Sequence, residues 1–365
     1  MRYQKVACIT NENSLEIFKT IEYFTEFSLD FFLYIFPNSE HNCPAVFRHY
    51  HQGELVEEKT CFLYKGKSRA IMFLVQFIYY IIFLRELKIK KTYIIVADLH
   101  FVFLNSIIRF FSGNRLVFWI GDGFPDRHKS LPIYILDRLI NFYINNLKYV
   151  FFSCPNLKRL YLKDYQSNSD KKVITLGIRN LPINRRPVPN LFGFIGNLRK
   201  EQGLELIIEV LKKNKNYHFE VVGKGGYGET LKKLARENNV DRQVSFLGYL
   251  EYQKIIDTSA RWEVAFAVYD PSSANYTYYA DPGKIKLYIE LEVPIIMTDI
   301  TYLAEEIKNL RSGEIVKYDS DSIISSINKI QRNRSVYVSG IKKIKDRYFY
   351  KKIYKEGFSD LEKQL

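Results

Sequence analysis

Short apolar runs alternate with longer amphipathic segments along most of the chain. The apolar runs have the length of buried strands, and segments with apolar residues three or four positions apart are typical of helices. The pattern predicts strands over residues 5–10, 31–36, 93–98, 115–120, 149–153, 173–177, 191–196, 218–223, 244–248, 262–268 and 294–299, and helices over 131–146, 204–213, 229–239 and 284–292, with a basic helix after 336. Strands and helices that alternate in this way indicate an α/β fold with parallel sheets.

A proline-rich segment over residues 178–190 divides this pattern into two series of similar size. The segment contains three prolines and has no apolar periodicity, which is typical of a linker. We therefore predict two Rossmann-like parallel α/β domains over residues 1–182 and 183–335, and a helical segment over 336–365 that packs back on the first domain. Ligands bind outside the carboxyl ends of such strands, so two domains that face each other are expected to enclose a substrate cleft.

Positive charge is concentrated in one part of the chain. The net charge is +14, and residues 61–187 carry 21 basic and 7 acidic side chains, whereas residues 1–60 carry 5 basic and 9 acidic ones. A basic field of this kind attracts an anionic membrane surface, a phosphorylated substrate or a nucleic acid. No nucleic-acid module or aromatic–basic repeat accompanies the charge, so we expect no nucleic-acid partner.

The longest apolar run, residues 71–84, has basic residues on both sides. It is shorter than the roughly 20 residues that a spanning helix needs. A helix buried in a domain core is the preferred interpretation, and a helix that dips into a membrane surface is the alternative.

The N-terminus does not have the pattern of a signal peptide, and the four cysteines form no CxxC pair and no zinc-like spacing. We therefore expect a cytoplasmic protein with free thiols and no bound metal.

The segment FIGNLRKEQG, residues 194–203, joins a predicted strand to a predicted helix. A glycine lets a ligand approach the backbone, and the N-terminus of a helix favours anions. Gly196, Asn197, Arg199 and Lys200 would therefore suit a diphosphate. An ordinary strand–helix turn with solvated charges explains the same residues equally well.

Two further segments carry candidate chemistry. In YYADPGKIKLYIELEVPIIMTD, residues 278–299, Lys284 falls in the first turn of a short helix, where the helix dipole disfavours a cation, so we expect an anion beside it. In WIGDGFPDRH, residues 119–128, Asp122, Asp126 and His128 follow a strand of the first domain and could serve as a general base or hold a sugar hydroxyl. Turn formation is the alternative explanation of this loop.

The second half of the chain resembles the donor domain of glycosyltransferase family 4 and related bacterial group 1 glycosyl transferases, which have the two-domain GT-B fold. The resemblance rests on four segments in order, IGNLRKEQGLELIIEVL, FEVVGKGGYGETLKKLA, VSFLGYL and DPGKIKLYIELEVPIIMTD. In the first half, WIGDGFPD and SCPNLKRLY are similar to loops of the same enzymes. The family's two phosphate-contacting residues of the first turn fall on Asn197 and Gln202, the glutamate that holds the donor ribose falls on Leu287, and the glycine before the closing proline falls on Glu292.

The resemblance implies a glycosyltransferase that moves a sugar from a nucleoside diphosphate sugar to a glycan or lipid-linked glycan acceptor in bacterial surface polysaccharide synthesis. It implies that the donor lies against Gly196, Asn197, Arg199, Lys200, Gly223, Gly248, Tyr249, Pro282, Gly283, Lys284 and Tyr288, and that no metal or other cofactor is needed. The acceptor is expected near Asp122 and His128, with Asp122 as the base of an inverting reaction. The stereochemical outcome stays open, as do two alternatives, a non-catalytic partner protein and a nucleotide-sugar epimerase on the same fold. The charge further suggests that the protein associates with the inner face of an anionic membrane.

Overall fold

The computed structural model describes residues 3–11, 15–36, 45–60, 69–86, 91–121, 131–162, 171–272 and 275–362. The strands are β1 (Tyr3–Asn11), β2 (Ser28–Phe36), β3 (Val46–His51), β4 (Glu54–Thr60), β5 (Tyr93–Val96), β6 (Arg115–Ile120), β7 (Tyr149–Phe152), β8 (Lys171–Val173), β9 (Leu191–Ile195), β10 (His218–Val222), β11 (Val244–Gly248), β12 (Val264–Ala267), β13 (Ile295–Thr298) and β14 (Gly313–Val316).

The helices alternate with these strands. They are α1 (Leu15–Phe27), α2 (Arg69–Glu86), α3 (Leu99–Ser112), α4 (Leu131–Asn146), α5 (Pro155–Tyr161), α6 (Leu204–Lys213), α7 (Gly228–Glu237), α8 (Tyr252–Ser259), α9 (Asn275–Tyr278), α10 (Gly283–Glu290), α11 (Ala304–Asn309), α12 (Ser320–Arg332), α13 (Arg334–Arg347), α14 (Tyr350–Gly357) and α15 (Ser359–Glu362). The predicted α/β class is confirmed.

The chain divides into two compact units. Unit 1 comprises Met1–Gly177 and Tyr350–Leu365, and unit 2 comprises Ile178–Phe349. The whole expected linker, residues 178–190, therefore belongs to unit 2, because its backbone is hydrogen-bonded to that unit. Within that segment the amides of Arg186 and Val188 donate to the carbonyls of Ala260 and Arg261, at 2.9 and 2.8 Å.

The C-terminal segment also differs from the expectation, which assigned all of 336–365 to the first domain. Helix α13 belongs to unit 2, where Ile341 and Ile344 are fully buried and Lys345 donates to the carbonyl of Leu181 at 2.6 Å. Only α14 and α15 return to unit 1. There the rings of Tyr354 and Tyr23 meet edge to face at 5.6 Å.

Unit 1 contains an eight-stranded sheet in the order β4-β3-β2-β1-β5-β6-β7-β8. Six neighbouring strands, β2, β1, β5, β6, β7 and β8, are parallel. Strands β3 and β4 add an antiparallel hairpin at the edge of β2. The apolar pattern did not predict this hairpin, because β4 is exposed and mostly charged. Its turn residues, Gln52 and Gly53, have φ values of +52° and +93°, as a two-residue hairpin turn requires.

Helix α2 contains the long apolar run and is not the buried core helix that the sequence favoured. Tyr80 and Phe83 are buried, and the Tyr80 hydroxyl donates to Asn105 on α3 at 2.5 Å. On another face of the helix, Leu74 and Ile78 are 58% and 48% exposed. None of the helices in the described residues is both long enough and apolar enough to span a bilayer.

Unit 2 contains a six-stranded sheet, entirely parallel, in the order β11-β10-β9-β12-β13-β14. Alternate residues of β9 enter the two apolar layers, so that Phe192 and Phe194 face α6, α7 and α12, whereas Leu191 and Ile195 face α10 and α13. The chain leaves β9 towards β10 and later returns to pair β12 with the other edge of β9. This reversal of strand order is the topological switch at which ligands of such sheets bind.

Gly193 in β9 leaves space for the fully buried indole of Trp262. A Cβ at residue 193 would lie 2.0 Å from the indole Cδ2 atom. We expect Gly193→Ala to destabilise unit 2 by about 3 kcal/mol, because Trp262 is held by a hydrogen bond to Glu220 at 2.7 Å and must move or distort the strand.

Urea unfolding of Gly193→Ala beside Gly226→Ala measures this cost. A Cβ at residue 226 meets no atom within 4 Å, so the control should stay within about 0.5 kcal/mol of the unchanged protein. Equal stability of the two variants would mean that the close approach of Gly193 and Trp262 does not exist in solution.

Candidate functional site

Three glycines lie side by side where β9, β10 and β11 end. The amide of Gly196 donates to Val222 O at 3.0 Å, and the amide of Gly223 donates to Gly248 O at 2.7 Å. A Cβ at residue 223 would lie 1.9 Å from Gly196 O, so that only glycine fits there. The φ values of Gly196, Gly223 and Gly248 are +152°, +128° and +68°, which favour glycine. These strand ends therefore present backbone without side chains, and a ligand can approach them closely.

The turn between β9 and α6 carries the polar residues that the sequence singled out. Asn197, Arg199 and Lys200 are exposed, and within the described residues the side chains of Arg199 and Lys200 form no ion pair. Gly203 takes a left-handed φ of +65° immediately before α6, which has no side-chain cap. The turn thus places two cations and an open helix end beside the three glycines.

Lys284 lies in the first turn of α10 and reaches the same strand end. Its Nζ lies 3.9 Å from the ring centre of Phe194 and 4.9 Å from that of Tyr269, and it donates a hydrogen bond to Gln202 Oε1. A Cβ at Gly196 would lie 3.5 Å from the same nitrogen. The cation therefore lies at the switch point between β9 and β12, beside the backbone of Gly196.

The surroundings of Lys284 provide no counter-charge. Within the described residues its ammonium is bonded only to a neutral amide and faces two aromatic rings, and it forms no ion pair with a carboxylate. Although part of the side chain is exposed, its charged end lies deep among protein atoms, and this burial lowers the pKa of Lys284 well below that of an ordinary lysine. An anion placed here would restore the missing charge balance.

The start of α10 also favours an anion. Pro282 precedes the helix as its N-cap and supplies no side-chain hydrogen bond, and Gly283 is the first helical residue. The first amides of a helix have no partner within it, and its N-terminus carries partial positive charge. Pro282, Gly283 and Lys284 therefore combine an uncapped helix end with a buried cation.

Tyr288 and Tyr249 differ in their exposure, so only one of them can contact a ligand. The hydroxyl of Tyr288 is fully buried, accepts from the Ile195 amide at 2.9 Å and donates to Phe266 O at 3.1 Å. It therefore lies beneath the site and fixes the ends of β9 and β12 rather than contacting a ligand. Tyr249, immediately after Gly248, is 68% exposed and free to contact one.

The departures from the family pattern have structural explanations at two positions. Gln202, on which a phosphate-contacting position of the resembling enzymes falls, accepts the hydrogen bond from Lys284, and a cation there would repel Lys284. Glu292, where the family has glycine, keeps the left-handed φ of +57° that a glycine would adopt. Its carboxylate pairs at 2.8 Å with Lys345, which is buried, and the ion pair offsets the backbone strain.

In unit 1 the predicted acceptor residues Asp122, Asp126 and His128 lie outside the described residues. The last described residue before them is Gly121, which follows β6 and whose carbonyl accepts a hydrogen bond from the Ser153 hydroxyl at 2.5 Å.

Sequence reasoning missed Asp98, which follows β5 and precedes α3. Strand β5 lies between β1 and β6, so Asp98 is at the carboxyl edge of the unit 1 sheet, at its own switch point. Burial raises the pKa of Asp98 to about 6. The signal was present as an acidic residue directly after an apolar strand, in the sequence YIIVAD.

Comparisons with known proteins agree with this architecture. Residues 182–268 match the family described as "Glycosyl transferases group 1". Sucrose-phosphate synthase from Thermosynechococcus elongatus superimposes with a TM-score of 0.70 at 13% identity, covering 98% of this chain and 100% of that chain. Anabaena HepE in complex with UDP and glucose gives a TM-score of 0.68 at 13% identity, covering 98% and 99%.

A third solved structure, the lipopolysaccharide outer core galactosyltransferase WaaB in its apo form, gives a TM-score of 0.64 at 13% identity, covering 98% of this chain and 99% of that chain. No curated protein sequence matches the chain. The chain has the GT-B glycosyltransferase fold. The predicted resemblance is confirmed, and the matched segment contains the three glycines of this GT-B unit, whereas Lys284 lies beyond it.

Replacing Lys284 with methionine should stabilise this GT-B protein. The unfolded chain binds the lysine proton up to its ordinary pKa, whereas the folded protein releases it at lower pH, so the unfavourable burial is fully present below the lowered pKa. The gain of Lys284→Met should therefore be largest below the lowered pKa and fade as the pH approaches 10.5, the ordinary lysine value.

Urea unfolding at several pH values measures this gain. The control is Lys232→Met on α7, a half-buried lysine that pairs with exposed Glu229 at 2.8 Å and should change stability by less than about 1 kcal/mol. A loss of stability in Lys284→Met at neutral pH would contradict the assignment of a desolvated cation.

Asp98→Asn should also stabilise the protein, with a different dependence on pH. The folded pKa of about 6 lies above the ordinary value of 3.8, so the carboxylate lowers stability progressively as the pH rises through that window. We expect a gain of about 2 kcal/mol at pH 7 that vanishes below pH 4.

Thermal and urea unfolding across this pH range test the Asp98 prediction. Glu54→Gln on the edge strand β4 provides the control, because it replaces a carboxylate that is exposed rather than buried. A gain of Asp98→Asn that stays constant from pH 4 to pH 7 would show that the Asp98 carboxyl does not titrate as described.

Proposed function

We propose that the chain is a glycosyltransferase that moves a sugar, most simply a hexose, from a nucleoside diphosphate sugar to a glycan or lipid-linked glycan acceptor. The observation that carries the proposal is the ammonium of Lys284, which lies beside Gly196 with no carboxylate within ion-pair distance among the described residues. A diphosphate supplies the missing negative charge. Similar structures support this donor class, since HepE was solved with UDP and glucose and the pneumococcal transferase GtfA with UDP and GlcNAc.

In the proposed reaction the bond between the sugar and the diphosphate breaks, and negative charge develops on the leaving diphosphate. Preorganised donors and cations that face this charge lower the barrier, because they need not reorient during the reaction. Lys284, the first amides of α10 and the exposed Arg199 and Lys200 would perform this role. The exposed ring of Tyr249 would contact the nucleotide base, with Asn197 and Gly248 beside it.

In the second part of the proposal, unit 1 binds the acceptor. Asp122 would serve as the base if the configuration inverts, with His128 as the second titratable group of that loop. In a retaining reaction Asp122 would only orient the acceptor. Asp98 adds a carboxyl with a raised pKa at the edge of the same sheet.

We further propose that the acceptor belongs to a bacterial surface polysaccharide and that the reaction takes place at the inner face of the membrane. The strongly basic segment 61–187 and the naming of WaaB as a lipopolysaccharide galactosyltransferase support this setting. No metal is required in the proposed mechanism, so activity should survive treatment with EDTA.

The experiment that tests the donor site is a thermal-shift panel of nucleoside diphosphates and nucleotide sugars. A ligand that binds only the folded state raises the unfolding temperature. We expect one uridine nucleotide to give a shift, and Lys284→Met to weaken its binding roughly 30- to 100-fold, as expected for the loss of a charge-assisted hydrogen bond. Lys232→Met should bind normally. Binding that also weakens as the pH rises through the lowered pKa of Lys284 would support the same assignment.

Product analysis separates transfer from the alternatives. A transferase releases the diphosphate only when an acceptor is present, an epimerase alters the sugar nucleotide without one, and a non-catalytic partner binds the nucleotide without consuming it. Absence of any nucleotide shift, or an equal shift in Lys284→Met, would contradict the proposed donor site.

A further inference from the structure

Three helices of unit 1 expose large apolar side chains on the same side of the sheet. Each of α2, α3 and α4 leads into a parallel strand, β5, β6 or β7, that lies further along the sheet in the same direction. Connections of this kind are right-handed, so the three helices cover one face. The Tyr80–Asn105 hydrogen bond confirms that α2 and α3 are neighbours, and α1 is on the other face with α14.

The exposed side chains follow helical spacing on each of these helices. They are Ile71, Leu74, Phe77, Ile78, Ile81 and Ile82 on α2, Phe103 and Ile107 on α3, and Ile135, Leu139 and Phe142 on α4, all between 38% and 58% exposed. We call this set the apolar face. Surface helices of soluble domains normally turn polar residues outward, and exposed apolar side chains that cluster on one face mark an interaction site.

The charge around the apolar face indicates what covers it. Residues 71–84 carry no charged side chain, and Arg85, exposed at the end of the same stripe of α2, is basic. Lys91, which lies between α2 and β5, and Arg138, which lies on α4 between Ile135 and Phe142, are exposed as well. The basic excess of 61–187, which contains all three helices, is complementary to anionic lipid headgroups, to which each nearby lysine or arginine adds attraction.

A lipid surface fits these side chains better than a protein does. The stripe formed by Ile71, Leu74, Ile78, Ile81 and Ile82 offers no hydrogen-bonding group, whereas protein interfaces bury about one hydrogen bond per 100–200 Å². The hydrocarbon chains of a lipid bilayer, just below the headgroups, require no hydrogen bonds from the protein. Helix α2 is about 27 Å long, enough to lie along a membrane surface with its apolar stripe submerged.

We propose that the apolar face is a docking surface for an anionic lipid bilayer, with α2, α3 and α4 lying in the interfacial layer and Arg85 and its basic neighbours against the headgroups. The protein then binds the membrane by a surface of unit 1 and does not cross it. A role of this surface in catalysis, bringing the enzyme to its acceptor, rests on the proposed lipid-linked acceptor. Docking to the bilayer itself requires neither donor nor acceptor.

The test is flotation of the full chain with vesicles of phosphatidylcholine alone and of equal parts phosphatidylcholine and phosphatidylglycerol. We expect binding to the anionic vesicles that falls as salt is raised, and little binding to the neutral ones. The double variant Leu74→Ser/Ile78→Ser should bind roughly 10- to 30-fold more weakly, because it removes two side chains from the apolar face. Phe142→Ser on α4 should weaken binding as well.

The matched control is Leu55→Ser/Val56→Ser on β4, where both side chains are exposed, at 50% and 61%, outside the apolar face. This control should float like the unchanged protein. We expect every variant to be folded, because the replaced side chains are exposed. An unchanged unfolding temperature would show this for each variant.

Three outcomes would overturn the proposal: no binding to anionic vesicles, equal binding by the Leu74→Ser/Ile78→Ser variant, and a dimer in sedimentation that the same variant abolishes while vesicle binding is absent. The last outcome would assign the apolar face to a second copy of the chain. Nucleotide shifts measured on the same samples keep the two proposals apart. Vesicle binding without a nucleotide shift would refute the donor site and leave the docking surface standing.

Discussion

Unit 2 is organised around the positive charge of Lys284, which pairs with no carboxylate in the part of the chain that the structure describes. Lys284 extends from an uncapped helix to the end of β9, where its neighbours are two aromatic rings and an amide oxygen. Keeping an ammonium there lowers stability, because water is partly removed and within the described residues no carboxylate replaces it. The proposed diphosphate would supply the negative charge that this ammonium lacks.

The surrounding structure holds that charge in place. The buried hydroxyl of Tyr288 joins the backbones of β9 and β12, four residues after Lys284 on the same helix. The left-handed glycines at 196, 223 and 248 bring three strand ends together without intervening side chains. The cation, the open helix end and the bare backbone therefore meet at one edge of one sheet. An arriving phosphate would find these groups already oriented.

Two of the four departures from the pattern of the resembling enzymes, Gln202 and Glu292, are compensated by local contacts. Gln202 is the hydrogen-bond partner of Lys284, and a second cation at this position would repel the first. Glu292 replaces a glycine, retains its left-handed backbone and gains an ion pair with buried Lys345. In a sequence comparison both positions lack the expected residue. The structure shows that each replacement forms a local contact, a hydrogen bond for Gln202 and an ion pair for Glu292.

Apolar periodicity determined the α/β class, most strands of both units and the turns that follow β9 and β10, because buried parallel strands and amphipathic helices leave strong local patterns. It also placed Lys284 at the start of a helix. Local pattern did not determine which side of α2 stays exposed, since an all-apolar helix has no marked face and only its neighbours on α3 and β2 decide. The β3–β4 hairpin was missed because an exposed edge strand needs no apolar alternation. The lack of a counter-charge at Lys284 and the burial of Asp98 depend on residues far away in the chain, and only the tertiary structure could bring those together.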